Sequence, residues 1–141
     1  MFRRIACAAV LVAGLALAGC SDTTTGVAPT PTPITEAFTG TVNPAGGETH
    51  AFTTLTGGAI KAVLTAVGPD STKNVGFSLG TFNPTLNTCA AVFDNPAATQ
   101  AFEFNATAST IGSYCVRIYD NGGVTTDGVP YTYTITVTHP Q

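Results

Sequence analysis

The chain has no tryptophan, one methionine and two histidines, and only 9% of its 141 residues are charged. Five Lys and Arg against eight Asp and Glu leave a formal net charge of −3. There is no basic patch to neutralise phosphates, which excludes nucleic-acid binding as a function class. His50 and His139 lack the local company of ligands that a zinc site requires. No Gly-x-Ser-x-Gly elbow is present, and Ser71, Ser78, Ser109 and Ser113 read as turn and sheet-surface hydroxyls. No catalytic residue, metal or cofactor is therefore assigned, and the chain reads as a non-enzyme.

What the chain does contain begins at its start. Arg3 and Arg4 precede an apolar run from Ile5 to Ala18, and the small residues Ala18 and Gly19 lead into Cys20. Charged start, apolar run and small residues at a cleavage point are the three parts of an export signal. The run is shorter than the roughly 20 residues of a permanent membrane helix. Leu17-Ala18-Gly19-Cys20, followed by Ser21-Asp22, resembles the lipobox of bacterial lipoproteins. That resemblance implies a diacylglyceryl thioether on the Cys20 sulfur, cleavage before Cys20 and acylation of the new amine, palmitate being the expected label. Two or three acyl chains hold a protein at a bilayer essentially permanently, where one binds only reversibly. The alternative is ordinary cleavage, which leaves Cys20 as a free thiol on a secreted protein. Ser21 stands where an aspartate tends to retain lipoproteins in the inner membrane, so the resemblance favours the outer membrane or cell surface over the outer face of the inner membrane.

Three segments follow: a signal over residues 1–19, a lipidated cysteine and Pro/Thr-rich linker over 20–35, and a folded domain over 36–138. Loss of Arg3 and Arg4 with the signal takes the formal net charge from −3 to −5. Pro29, Pro31 and Pro33 alternate with threonines and favour extended polyproline II backbone, a spacer between lipid and domain whose threonines are also glycan acceptors in some bacteria.

The remainder alternates with period two. Tyr131, Tyr133, Ile135 and Val137 interleave with Thr132, Thr134, Thr136 and Thr138; Val75, Phe77 and Leu79 interleave with Asn74, Gly76, Ser78 and Gly80. Further strands are expected over Phe38–Val42, Glu48–Leu55, Ile60–Val67, Leu86–Phe93, Thr99–Thr107 and Gly112–Tyr119, with Asp94-Asn95-Pro96 ending the fifth. The alanines of Ala97–Ala108 also suit a helix. Phe102 and Phe104 are two apart, however, which aligns them on a strand and splays them on a helix. About eight short strands without room for crossover helices predict an all-β, antiparallel, jelly-roll-like sandwich, with a closed barrel as the competing closure. Phe77, Phe102, Phe104, Tyr133 and Ile135 are its expected core.

The order Phe38-Thr39-Gly40-Thr41-Val42, His50-Ala51-Phe52, Leu64-Thr65 with Gly68-Pro69-Asp70, Gly112 through Asp120, and Pro130 through Val137 resembles the bacterial pre-peptidase C-terminal domain. The resemblance implies a jelly-roll-like sandwich of the kind carried by exported proteins, with roles in secretion, surface attachment or substrate binding. No peptidase domain precedes it in this sequence, so protease activity does not carry over. Calcium binding by relatives falls here on Glu36 and Glu48 alone, too few for a metal site.

Four side-chain readings remain. Cys89 and Cys115 are the pair left once Cys7 departs with the signal and Cys20 carries lipid, and an oxidising compartment predicts a disulfide between them. Arg117 is expected to pair with Glu103 across a sheet face, recognition of a carboxylate or glycan being the alternative. Tyr119 is the one tyrosine that alternation leaves outward as a candidate sugar-stacking ring. Asp120-Asn121-Gly122-Gly123, with Asp127 downstream, reads as a long hairpin loop whose Asp120 and Asp127 are candidate ligand contacts, calcium being the alternative use. The sequence therefore predicts an envelope-anchored, non-catalytic binding or structural module, with the bilayer as one partner and an envelope protein or polysaccharide as the other. The alternatives are an accessory role in secretion or assembly of another exported protein, and a hydrolase with a site built from scattered loops.

Overall fold

The computed structural model describes residues 30–141; the signal, Cys20 and most of the linker lie outside the described residues. Eight strands form two four-stranded sheets packed face to face. They are β1 (Pro33–Val42), β2 (Gly47–Thr54), β3 (Gly58–Val67), β4 (Val75–Asn83), β5 (Thr88–Ala98), β6 (Glu103–Ala108), β7 (Gly112–Tyr119) and β8 (Tyr131–Pro140), with a one-turn helix α1 (Gly123–Asp127) before β8. The first sheet runs β1-β8-β3-β6 and the second β2-β7-β4-β5, and every paired neighbour is antiparallel. Every consecutive pair of strands except β4–β5 changes sheet, which is jelly-roll winding of an open sandwich rather than a closed barrel.

Alternation fixes which residues meet between the sheets. Tyr131, Tyr133, Ile135 and Val137 of β8 are buried, as are Val75, Phe77 and Leu79 of β4 and Val116 and Ile118 of β7. The threonines between the β8 core residues face outward and bond to one another across strands, Thr35 to Thr138 at 2.9 Å and Thr65 to Thr136 at 3.2 Å. A register shift between Leu64 and Ala66 turns β3 over, so that Ile60, Ala62 and Leu64 are buried below it and Val67 above.

Several elements depart from the sequence expectation. β1 begins at Pro33, three residues before the boundary drawn at Glu36, because Pro33 to Thr35 find partners in Pro140 to Thr138. β5 runs straight through Asp94-Asn95-Pro96. As an edge strand it has no second neighbour to miss the Pro96 amide, and the Asn95 side chain accepts the Ala97 amide at the irregularity. Thr99 to Phe102 is a turn, with Phe102 N–H donating to the Thr99 carbonyl and Ala101 at φ 71°. Phe77, Tyr133 and Ile135 are buried, but Phe102 and Phe104 are only half-buried. β6 is an edge strand, so these rings cover the core rim, Phe104 lying 5.3 Å from Phe77 and 5.9 Å from Phe93.

The strand directions give the sandwich two distinct ends. The β2–β3, β4–β5 and β6–β7 turns share one end with Thr32 and Gln141, whose amide donates to the Thr32 carbonyl. At the other end lie the β1–β2 turn, the long β3–β4 and β7–β8 connections and the β5–β6 turn.

Candidate functional site

Asp120 organises the end that carries the long connections. It follows β7 directly, and both of its carboxylate oxygens point at backbone donors. One accepts from Gly122 and Val124 at 2.7 and 3.0 Å; the other accepts from Thr125 at 3.1 Å and from Ala45, in the β1–β2 turn, at 2.8 Å. The Thr125 hydroxyl donates to it as well. Burial pushes the Asp120 carboxyl up, but the Thr125 hydroxyl and the Ala45, Gly122 and Val124 amides override that and hold it at about 2. The expected plain loop over Asp120–Pro130 therefore contains the helical turn α1. Gly122 at φ 103° and Gly128 at φ 69° supply the left-handed entry and exit that a side chain would strain. Val124 is fully buried beneath the turn and pins it to the core.

Asp127 lies on the far side of α1 from this hub. Its carboxylate meets Lys73 of the β3–β4 connection at 2.6 Å and accepts the Tyr131 hydroxyl. Hydrogen bonding from Lys73 first, and from Tyr131 second, holds the Asp127 carboxyl below its ordinary range, and the same bond from Asp127 raises the Lys73 ammonium. The Asn121 amide donates to Asn74 at 2.9 Å and to the Pro96 carbonyl at 2.7 Å. Thr72, Lys73, Asn121, Thr126, Asp127 and Tyr131 thus line a polar cleft of about 360 Å³ between two connections that are tied together. Asp120 and Asp127 serve different donors, so they are not brought together as a calcium pair. No group of three or more His, Cys, Asp or Glu suited to a metal occurs among the described residues.

Tyr119 is placed differently from expectation. Its ring lies on the backbone of Gly76, where a Cβ would run into it, and the Arg117 guanidinium sits 4.9 Å from its centroid. Its hydroxyl donates to the Asp94 carboxylate at 3.0 Å, which also accepts from Ser78 at 2.7 Å. Burial and the bond to Asp94 raise the Tyr119 phenol. Arg117 does not reach Glu103, because β7 and β6 belong to opposite sheets; Glu103 pairs with Lys61 of neighbouring β3 at 2.6 Å. Tyr114 is half-buried against Phe52, and Tyr131 and Tyr133 are buried. No tyrosine among the described residues stands open as a sugar platform.

Cys89 and Cys115 form the expected disulfide, with Cα atoms 5.8 Å apart.

The fold is similar to that of solved structures. A Yersinia pseudotuberculosis-derived mitogen aligns with TM-score 0.54 and 19% identity over 77% of this chain and 87% of its own. PliG of Aeromonas hydrophila, a periplasmic inhibitor of g-type lysozyme, aligns with TM-score 0.52 and 14% identity over 74% and 84%. The chain shares their fold. No family model and no curated protein matches the sequence.

The histidines form clusters that reading along the chain missed. The Tyr133 hydroxyl donates its single proton to Glu48, so His50 Nε2, 2.7 Å away, donates to the same hydroxyl oxygen. Phe38 stacks on the His50 ring at 4.9 Å. Burial lowers the His50 imidazole, with Glu48 opposing it. His139, fully buried, meets Glu36 at 2.8 Å. These groups plug the β1/β2 edge of the sandwich with satisfied polar side chains. Glu48 and His50 are two apart and so share a strand face, the one sequence signal of this arrangement.

Proposed function

We propose that this protein is a non-catalytic binding module, held at the bacterial envelope by acylated Cys20, that presents the end built around Asp120 and the Lys73–Asp127 pair to an exported or envelope protein. The observation that carries the reading is the Asp120 hub. Five donors from two connections converge on one carboxylate, so the loop surface is ordered before any partner arrives and binding costs little further ordering. PliG, which inhibits g-type lysozyme, illustrates a protein-directed use of a related fold. A polysaccharide partner is disfavoured by the occupied tyrosines. The lipobox supports attachment, Ser21 supports the outer membrane, and the jelly-roll order is in keeping with kinship to the pre-peptidase C-terminal domain.

The test is capture from the native envelope. The chain from Cys20 onward should retain a saturable protein partner, and shortening residues 121–128 to a two-residue turn should abolish retention. A partner held equally by the shortened, folded variant would reject this end as the site. Turnover of a captured molecule by the pure protein would reject the non-catalytic reading.

A further inference from the structure

We propose that the opposite end of the sandwich docks onto the lipid bilayer through aliphatic turn tips, fixing the domain upright on its anchor. Leu55 in the β2–β3 turn, Leu86 in the β4–β5 turn and Ile111 in the β6–β7 turn are 54%, 68% and 68% exposed. All three turns lie at one end of the molecule, joined there by Ile34 near the start of β1. Thr54 Oγ donates to the Thr110 carbonyl, and the Gln141 side chain to the Thr53 carbonyl, so the turns are braced against one another.

Residues 55–57, 84–87 and 109–111 contain no charged side chain, whereas the connections at the other end carry Asp70, Lys73, Asp120 and Asp127. Of the large apolar residues exposed at either end, four lie at the uncharged end and only Val129 at the charged one. An uncharged end tipped with aliphatic residues fits the headgroup–acyl boundary, which takes up apolar faces to a depth of about 5–10 Å.

The place where the chain leaves the described structure chooses the bilayer over other occupants. Thr32 accepts from Gln141 at this same end, and ten residue-to-residue steps lead from Cys20 to Thr30. At no more than about 3.6 Å each they reach roughly 36 Å. A tether that short makes contact between the tips and the membrane an intramolecular event at an effective concentration on the order of millimolar, so shallow insertion suffices. The spacer then permits the domain to stand off the membrane, and the tips return it. The charged end consequently faces away from the lipid.

This inference rests on Cys20 as the point of attachment, and the test supplies that attachment chemically. Cys89 and Cys115 are bonded to each other, so in the chain from Cys20 onward the Cys20 thiol is free for coupling to a maleimide-headgroup phospholipid in phosphatidylcholine vesicles. Because the chain has no tryptophan, Leu86→Trp, Ile111→Trp and Val129→Trp each provide a single fluorophore. With brominated acyl chains in the vesicles, the indoles from Leu86→Trp and Ile111→Trp should lose about half their emission, as expected for burial at the acyl boundary, and that from Val129→Trp should be unchanged. Adding Leu55→Asp and Ile111→Asp to Leu86→Trp should restore the emission. Equal quenching at both ends, or none at Leu86→Trp, would overturn the docking. A blue shift that appears without lipid as protein concentration rises would assign these tips to a second copy and also overturn it. Failure of cells to acylate Cys20, read separately by mass, would reject the natural anchor while leaving this result intact.

Discussion

Cys89 and Cys115 are bonded although their strands are not neighbours: β4 runs between β5 and β7. Gly80 makes the crossing. At a register shift after Leu79, the Ala90 carbonyl of β5 settles onto the outer side of Gly80, where a Cβ would collide with it, and the start of β5, which carries Cys89, lies over β4 towards β7. The bond closes a sequence separation of 26 residues, for which the chain-entropy relation gives about 3.5 kcal/mol. Denaturant titration of reduced, alkylated protein should show a loss of that order. Gly80→Val should leave two titratable thiols in the unfolded, non-reduced protein; a fully bonded variant would contradict this role for Gly80.

Core substitutions should separate the two ranks of phenylalanine. Phe77 of β4 is fully buried between the two sheets, so Phe77→Ala should cost about 3–5 kcal/mol. Phe104 sits on an edge strand with part of its ring in solvent, and Phe104→Ala should cost roughly 1–2 kcal/mol. Equal losses in equilibrium unfolding would contradict the rim position of Phe104.

Acid should act on the Asp120 hub. Its carboxyl is depressed from 3.8 to about 2 in the fold, so the unfolded chain takes up the proton first. The contribution is complete above the unfolded value, declines below it, and is lost as pH falls through about 2. Asp120→Asn should be less stable than wild type at neutral pH, and the gap should narrow on acidification. Hydrogen exchange should speed up at Ala45, Gly122, Val124 and Thr125 in the variant; unchanged protection there would remove the hub from the account.

A second pH dependence comes from His50. Burial lowers its imidazole below 6.5, so protonation favours the unfolded chain, and stability should fall as pH drops below that value. His50→Phe keeps an aromatic ring beside Phe38 but cannot titrate. Its melting temperature should therefore change less between pH 8 and pH 5 than that of wild type; parallel curves would contradict the assignment.

Much of this fold was legible because alternation is a local signal. Tyr131 to Val137 and Val75 to Leu79 each display an apolar row that only a strand can bury, and the Cys89–Cys115 pairing followed from what was left to pair. The misreadings concern relations between distant strands. Arg117 and Glu103 both look outward along the chain, yet their strands lie in opposite sheets, and no local pattern encodes that. Asp94-Asn95-Pro96 has turn chemistry but is carried by an edge strand. Asp120 was visible as an acceptor, but not that its donors are the loop's own amides and Ala45, which makes it a brace; Asp127 likewise meets Lys73 through a connection some fifty residues away in the chain.

The central claim is that the molecule has a lipid end and a partner end. Photocrosslinking in the native envelope tests it most directly, with p-benzoylphenylalanine in place of Thr126, in the cleft beside Asp127, or in place of Leu86, at the tip of the β4–β5 turn. The account predicts a discrete protein adduct from position 126 and lipid adducts without a protein band from position 86. A protein adduct from position 86 with none from position 126 would contradict it.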